Sequence, residues 1–391
     1  MLNLGLHLRK HCRVLVLAPD APGIPRRLDW SGITVLRYTY FLPRALQHIT
    51  RGEGTLANLR HSRLARLQLP LLVGSQCLHL PLIVRKYKVD LVNSHWIVPQ
   101  GFNYAVWRPI LGIPHVVTCH SAGVFLLQRM PLGRRVARFI VRHTDRFLPV
   151  STDLARCLEE LSGSPIPHRV VPMGVDTASF RSDIDPRAVR ARYAPSGERM
   201  LLFVGKLVPK KGIEFLLQAV HRLGSEVDPW HLVVVGGGPL EAEIRSRIVT
   251  STLSTRVTMT GWLSNDELPA YYAAADAVCV PSIVDAHGET EGMPVVVQEA
   301  LASGCILIAT TVGGIPDVVS DGVSGILVPE KDPDALADAI RGALSMDARP
   351  RQAMQERAAC AARANTWEKV AASYSETFDE LLDNPAHTVR A

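Results

Sequence analysis

Paired or clustered cysteines are missing from this chain of 391 residues. Cys12, Cys77, Cys119, Cys157, Cys279, Cys305 and Cys360 are scattered, with no C-x-x-C pair and several inside apolar runs, so neither a disulfide framework nor a zinc site is expected. They read as reduced, partly buried thiols. The sequence has no run of ~18 uninterrupted apolar residues, and its leucine-rich beginning carries Arg9, Lys10 and Arg13 without a cleavage pattern. The expectation is a cytoplasmic protein, peripheral at most to the cytoplasmic face of a membrane. No fixed-period repeat or low-complexity tract is present, and a Walker A loop and a G-x-G-x-x-G fingerprint with a following acid are both wanting. P-loop chemistry and NAD-dependent oxidation lose their basis.

What is present is ordinary globular material, 47% hydrophobic and 20% charged, in a chain of 42.8 kDa long enough for two or three domains. The net charge of +6 conceals an asymmetry: residues 1–180 hold 23 Lys and Arg against 9 Asp and Glu, whereas residues 181–391 hold 20 against 28. A basic first half faces something anionic, such as a membrane surface or a phosphate-bearing substrate.

Short β-branched runs alternate with helical patterns throughout, the mark of parallel sheets covered by helices and so of an α/β protein. Strands are expected in the first half at 14–17, 33–37, 91–94, 115–118, 147–150 and 170–172. In the second half they are expected at 201–204, 232–235, 257–260, 277–280, 306–309 and 326–328. Each half reads as a Rossmann-like sheet. The join is placed in the polar stretch 181–199, where Pro186, Pro195 and Gly197 interrupt any helix, giving domains 1–180 and 200–366. A last helix over 367–382 carries Val370, Tyr374, Phe378 and Leu381 on one stripe. The leucine-rich segment 64–84, broken by Pro70 and Pro81, is expected to be helical packing rather than membrane insertion.

Three loops carry chemistry. The segment from Gly205 to Gly212 follows a strand and opens a helix, placing Lys206, Lys210 and Lys211 where a βα turn meets an anion. The triplet Gly236-Gly237-Gly238 ends the next strand and suits a tight turn or a nucleotide equally. The sharpest signal runs from Glu291 through Gly292, Met293, Pro294 and Val295 to Glu299. There a glycine gives backbone access, Pro294 fits a first helical turn, and the uncapped amides that follow face an anion. Glu299, two turns further on among apolar residues, needs a polar partner, and a ribose diol would supply one.

With Val280-Pro281-Ser282 and Val312-Gly313-Gly314-Ile315-Pro316, these segments resemble the retaining nucleotide-sugar glycosyltransferases of family 4, which have the GT-B fold of two facing Rossmann-like domains. The resemblance runs from about Val14 to Leu382. It implies that Glu291 contacts the donor sugar, that Glu299 holds the nucleotide ribose, and that Gly205, Lys206 and Lys211, with Gly236, serve the donor diphosphate. Lys206 stands where Arg is more usual, exchanging a bidentate grip for a point charge. His120, after the strand Val116-Val117-Thr118-Cys119, matches the family's active-site histidine, and His95 and Trp96 match a loop beside the acceptor. The last helix, with the residues to 391, is implied to cross back onto the first domain.

The function implied is transfer of a sugar from a nucleoside-diphosphate sugar to a saccharide or lipid-linked acceptor with retention of configuration, in glycan or glycolipid biosynthesis. Neither a cofactor nor a metal is implied, and no nucleic acid is expected as a partner. Arg134, Arg135, Arg138 and Arg142 suggest peripheral contact with an anionic membrane, and Asp183-Ile184-Asp185 is read as solvated acid rather than a metal-binding DxD. A nucleotide-sugar epimerase and a transferase-derived binding protein are the alternatives.

Two departures from the pattern stand out. Ser121-Ala122-Gly123 replaces a glycine-rich stretch with an aspartate, and the family's first strand with its glycine-rich loop has no counterpart before Leu2. The expectation is a start upstream of the given one, a fragment or an inactive remnant, with Leu2–Leu8 serving as the strand as the alternative.

Overall fold

The computed structural model describes residues 2–50, 58, 62–223 and 229–383. The tail of the segment assigned to the return helix, 384–391, lies outside them. The chain divides into two units. One comprises Met1–Pro149, Leu154–Val171 and Val370–Ala391, the other Val150–Asp153 and Pro172–Lys369.

In the first unit the elements run α1 (Leu2–Leu8), β1 (Leu15–Pro19), β2 (Arg27–Trp30), β3 (Ile33–Tyr38), α2 (Arg63–Tyr87), β4 (Val92–His95), α3 (Phe102–Leu111), β5 (His115–Cys119), α4 (Ser121–Arg129), α5 (Gly133–Arg142), β6 (Arg146–Pro149) and most of α6 (Thr152–Ser162). They build two three-stranded sheets. One has the order β1-β3-β2, with β1 and β3 parallel and β2 antiparallel. The other, β4-β5-β6, is wholly parallel. Among the described residues no ladder joins β1 to β4, yet Leu17 and Val92 pack on one apolar cluster with Leu80, Val84 and Tyr104.

One alternative and one expectation are corrected here. Residues 2–8 form a helix, its Leu4 and Leu8 buried, rather than a strand. Residues 170–172 form no strand: Arg169 and Val171 donate to the carbonyls of Phe147 and Pro149, but Pro167 and Pro172 have no N–H with which to extend the ladder. Helix α2, 25 residues starting after a Ser62 side-chain cap, is long and apolar enough by length and composition to cross a membrane. One of its stripes, with Ala65, Leu72, Leu80 and Val84, is nonetheless buried against its own unit.

The second unit continues with α7 (Arg187–Tyr193), β7 (Arg199–Val204), α8 (Ile213–His221), β8 (Trp230–Val235), α9 (Glu241–Val249), β9 (Val257–Gly261), α10 (Leu268–Ala274), β10 (Ala277–Val280), α11 (Val295–Ala302), β11 (Leu307–Thr310), β12 (Ile326–Val328), α12 (Pro333–Leu344) and α13 (Ala348–Ala362). Its six strands are all parallel, in the order β12-β11-β10-β7-β8-β9. Alternate residues bury on opposite faces, Leu201 and Phe203 in one cluster and Met200 and Leu202 in the other, as a sheet covered by helices on both sides requires. Strand order reverses between β7 and β10, so the loops after these two strands open on the crevice that such sheets use for ligands.

Helix α14 (Trp367–Leu382) begins in the second unit, where Val175 exchanges backbone hydrogen bonds with Asn365 and Trp367. From Val370 onward it belongs to the first unit, with Val370, Tyr374 and Leu381 buried.

Candidate functional site

In the second unit the loops after β7 and β10 are locked together by glycines. A Cβ at Gly212, where φ is +64°, would lie 1.8 Å from the Pro281 carbonyl oxygen, and the Ile283 amide donates to the Lys210 carbonyl at 2.9 Å. Gly236 meets the Gly205 carbonyl oxygen at 2.1 Å from its ideal Cβ, and Gly313 meets that of Glu291 at 1.9 Å. Only residues without a Cβ allow these backbones to approach.

Glu291, 9% exposed, is seated within that framework. Lys210 Nζ lies 3.3 Å from its Oε1 and Lys211 Nζ 3.3 Å from its Oε2. Burial pushes this carboxyl up, but the two ammonium groups outweigh burial and hold it below the ordinary carboxylate value. The stem of Lys211 runs past Gly205. Lys206 is partly exposed and makes no ion pair among the described residues. The two cations paired with the Glu291 carboxylate are therefore Lys210 and Lys211.

Pro294 is the N-cap of α11, not a residue of its first turn, and no side chain caps the helix. Gly292, Met293 and Pro294 are buried, while Val295, the first helical residue, is 36% exposed. Glu299 follows within α11. Burial raises its pKa, which the Tyr272 hydroxyl, donating to Oε2 at 2.8 Å, and the charge of Lys211 partly counter. Tyr272 on α10 is fully buried and its hydroxyl is pushed far from ionisation. The polar partner that Glu299 needs is thus in part internal, and periodicity gave no sign of Tyr272.

In the first unit His95 ends β4, His120 follows β5, and their rings stack with centroids 5.8 Å apart. Trp96 takes a φ of 91°, rare for a residue with a Cβ, and turns the chain away from β4. A directed hydrogen-bond chain reaches His95 from α14. Tyr374 Oη lies 3.1 Å from Thr118 Oγ1, which donates to Asn93 Oδ1 at 3.1 Å, and Asn93 Nδ2 lies 3.3 Å from His95 Nε2. The Tyr374 ring stacks on His95 at 6.5 Å. Burial lowers the pKa of His120 to about 4, and burial with the neighbouring His120 lowers that of His95 to about 3, so both imidazoles are neutral near pH 7. His95 Nδ1 and His120 Nε2 are buried atoms without a hydrogen-bond partner among the described residues. Asp183 and Asp185 pair with Arg181 and Arg187 at the surface.

A doubly wound sheet with lysines, a carboxylate and glycine turns at its switch point, on a chain that also carries a parallel sheet ending in half-buried histidines, defines a GT-B glycosyltransferase. Solved structures with this fold cover nearly the whole chain. Sucrose-phosphate synthase from Thermosynechococcus elongatus matches with a TM-score of 0.77 and 24% identity, covering 97% of this chain and 91% of its own. HepE of Anabaena, in complex with UDP, matches with a TM-score of 0.69 and 17% identity, covering 94% of this chain and 100% of its own. Residues 1–179 match Glycosyltransferase Family 4, and residues 187–361 match Glycosyl transferases group 1. The chain belongs to glycosyltransferase family 4.

Among curated relatives, an uncharacterized glycosyltransferase of Methanocaldococcus jannaschii is 27% identical over 77% of this chain and 78% of its own length. The GDP-mannose-dependent alpha-(1-6)-phosphatidylinositol monomannoside mannosyltransferase of Mycobacterium tuberculosis is 34% identical over 56% of this chain and 57% of its own. The chain therefore spans little more than half the length of that mannosyltransferase.

Proposed function

We propose that this protein transfers a glycosyl group from a nucleoside-diphosphate sugar to an acceptor hydroxyl with retention of configuration, in glycan or glycolipid biosynthesis. The observation that carries the reading is the buried Glu291 carboxylate between two lysines at the switch point of the second unit. As the donor bond breaks, charge gathers on the leaving diphosphate. Lys210, Lys211 and the uncapped amides at the start of α11 meet that charge in a low-dielectric setting. Lys206 adds a third cation near the mouth of the loop. Glu299, oriented by Tyr272, accepts from the ribose hydroxyls, and Glu291 contacts the sugar.

In this reading His120 acts as a neutral imidazole, orienting the donor sugar and steadying positive charge at its anomeric carbon, and the departing phosphate accepts the acceptor's proton. Leaving-group charge is met by protein cations and amides, with no metal in the scheme. His95 and Trp96 serve the acceptor. Contact of the basic first unit with an anionic membrane belongs to the same reading. Arg134, Arg135 and Arg138 line a cavity of about 600 Å³ together with Leu127, Met130 and Leu132, a lining that suits an anionic amphiphile. The test is a thermal-shift screen with UDP-, GDP- and ADP-sugars, followed by assay of nucleoside diphosphate released on adding glycolipid acceptors. Stabilisation by one nucleotide class and acceptor-dependent release support the reading; an unchanged unfolding midpoint with all three classes overturns it.

A further inference from the structure

Residues 54–144 contain one acidic residue, Asp90, against twelve lysines and arginines. Helices α2, α3, α4 and α5 all arise from this stretch, and none contains an acid. On α2, Leu67, Leu71, Leu78 and Leu82 are 73%, 48%, 67% and 65% exposed. At ~100° per residue they fall within an arc of about 60°, so they form one stripe. The opposite side of the same helix carries the buried Ala65, Leu72, Leu80 and Val84.

Helix α3 packs alongside, its Trp107 Nε1 donating to the Cys77 carbonyl of α2 at 2.8 Å, and exposes Val106 and Ile110. Arg63 and Arg66 lie at one end of the stripe, and Arg85, Lys86 and Lys88 at the other. Single exposed leucines need no explanation, whereas a stripe of them along 25 residues, bracketed by cations in an acid-poor region, does.

We propose that the outer face of α2, continued by Val106 and Ile110, lies in the interface of an anionic lipid bilayer. The helix cannot span, because its other stripe is committed to the core of its own unit along its length. It lies in the interface plane instead, with leucines at the acyl boundary and the terminal lysines and arginines at the phosphates. Charge selects this occupant over a second copy of the chain, since two such faces brought together would oppose like charges at their rims. The proposal deepens the membrane contact of the first unit set out above and rests on that reading.

Purified full chain is floated with vesicles of phosphatidylcholine alone and of phosphatidylcholine mixed with phosphatidylglycerol. The wild type is expected to bind the mixed vesicles and to be released by high salt. Combining Leu67→Gln, Leu71→Gln, Leu78→Gln and Leu82→Gln is expected to lower partitioning by about tenfold or more, as binding scales with buried apolar area. The unfolding midpoint and the response to nucleoside diphosphates stay as in the wild type. A retained nucleotide response with lost vesicle binding separates this surface from the donor site, and a wild type that ignores nucleotides but binds vesicles would sink the donor reading alone. Equal partitioning of variant and wild type overturns the proposal. So does a wild type indifferent to the anionic lipid, or a variant whose only change is from dimer to monomer.

Discussion

Replacing Glu291 by Gln keeps the side chain's shape and removes its charge from between Lys210 and Lys211. Each ammonium group lies 3.3 Å from one carboxylate oxygen, and the three side chains are 11–27% exposed. At an effective dielectric near 20, Coulomb attraction at this separation is about 5 kcal/mol per pair before desolvation. Desolvation of all three groups absorbs much of this, and a cost of about 2–3 kcal/mol in stability at neutral pH remains, below the usual range for orphaning a buried charge because both lysines keep some solvent.

The pH dependence has a definite sign. The carboxyl of Glu291 is held below its ordinary value of 4.5, so its stabilisation is complete above that pH and is lost as pH falls through the lower folded value. Variant and wild type should therefore converge in acid. Ligand binding moves in the opposite direction from stability. In the wild type an incoming diphosphate must share lysines that already have a partner. In Glu291→Gln it meets two unpaired cations, and affinity for UDP or GDP should rise by about tenfold, 1.4 kcal/mol. Transfer should fall, because the group that contacts the sugar is changed. Lys211→Ala should weaken both binding and transfer. Isothermal titration of each variant reads the difference, and a Glu291→Gln variant that weakens nucleoside diphosphate as much as Lys211→Ala refutes the reasoning.

Gly212→Ala places a methyl 1.8 Å from the Pro281 carbonyl oxygen at a φ of +64°, and should cost about 3 kcal/mol in thermal or urea unfolding together with the nucleotide response. Tyr374→Phe removes the hydroxyl at the head of the chain to His95; it should cost about 1 kcal/mol and shift the His95 imidazole resonances in NMR while nucleotide affinity is unchanged. His95 and His120 are held neutral by desolvation of their rings, so between pH 6.5 and their lowered values the unfolded chain binds protons that the folded one refuses. Stability should fall as pH drops through that window, and NMR titration should place the His120 midpoint near 4; a midpoint near 6.5 would contradict its burial.

The second unit was legible because fully buried parallel strands are written as apolar, β-branched runs: all six appear, with β11 displaced by one residue. The same signal is misleading at 170–172, where Pro167 before the segment and Pro172 within it lack the donors a ladder needs. Strand β2 is exposed at all four residues, and its two apolar side chains, Leu28 and Trp30, alternate with charged ones over a run too short to read as a buried strand. The Ser31-Gly32 dipeptide between β2 and β3, both residues at positive φ, was its available sign. Glu291 and the three lysines of the loop are readable from motif spacing, which says nothing about which of those lysines turn toward the carboxylate, and the structure pairs it with Lys210 and Lys211. Tyr272 lies 27 residues before Glu299, and Tyr374 lies 256 residues beyond Thr118; contacts of that kind are made by tertiary packing and leave no local pattern.

The claim on which the rest depends is that the switch point of the second unit holds a sugar diphosphate. A crystal structure of the full chain with the nucleotide that gives the largest thermal shift tests it most directly. The account predicts diphosphate oxygens on Lys211 and the first amides of α11, with the ribose hydroxyls on Glu299. A nucleotide bound elsewhere, leaving Glu291, Lys210 and Lys211 paired as they are here, would contradict it.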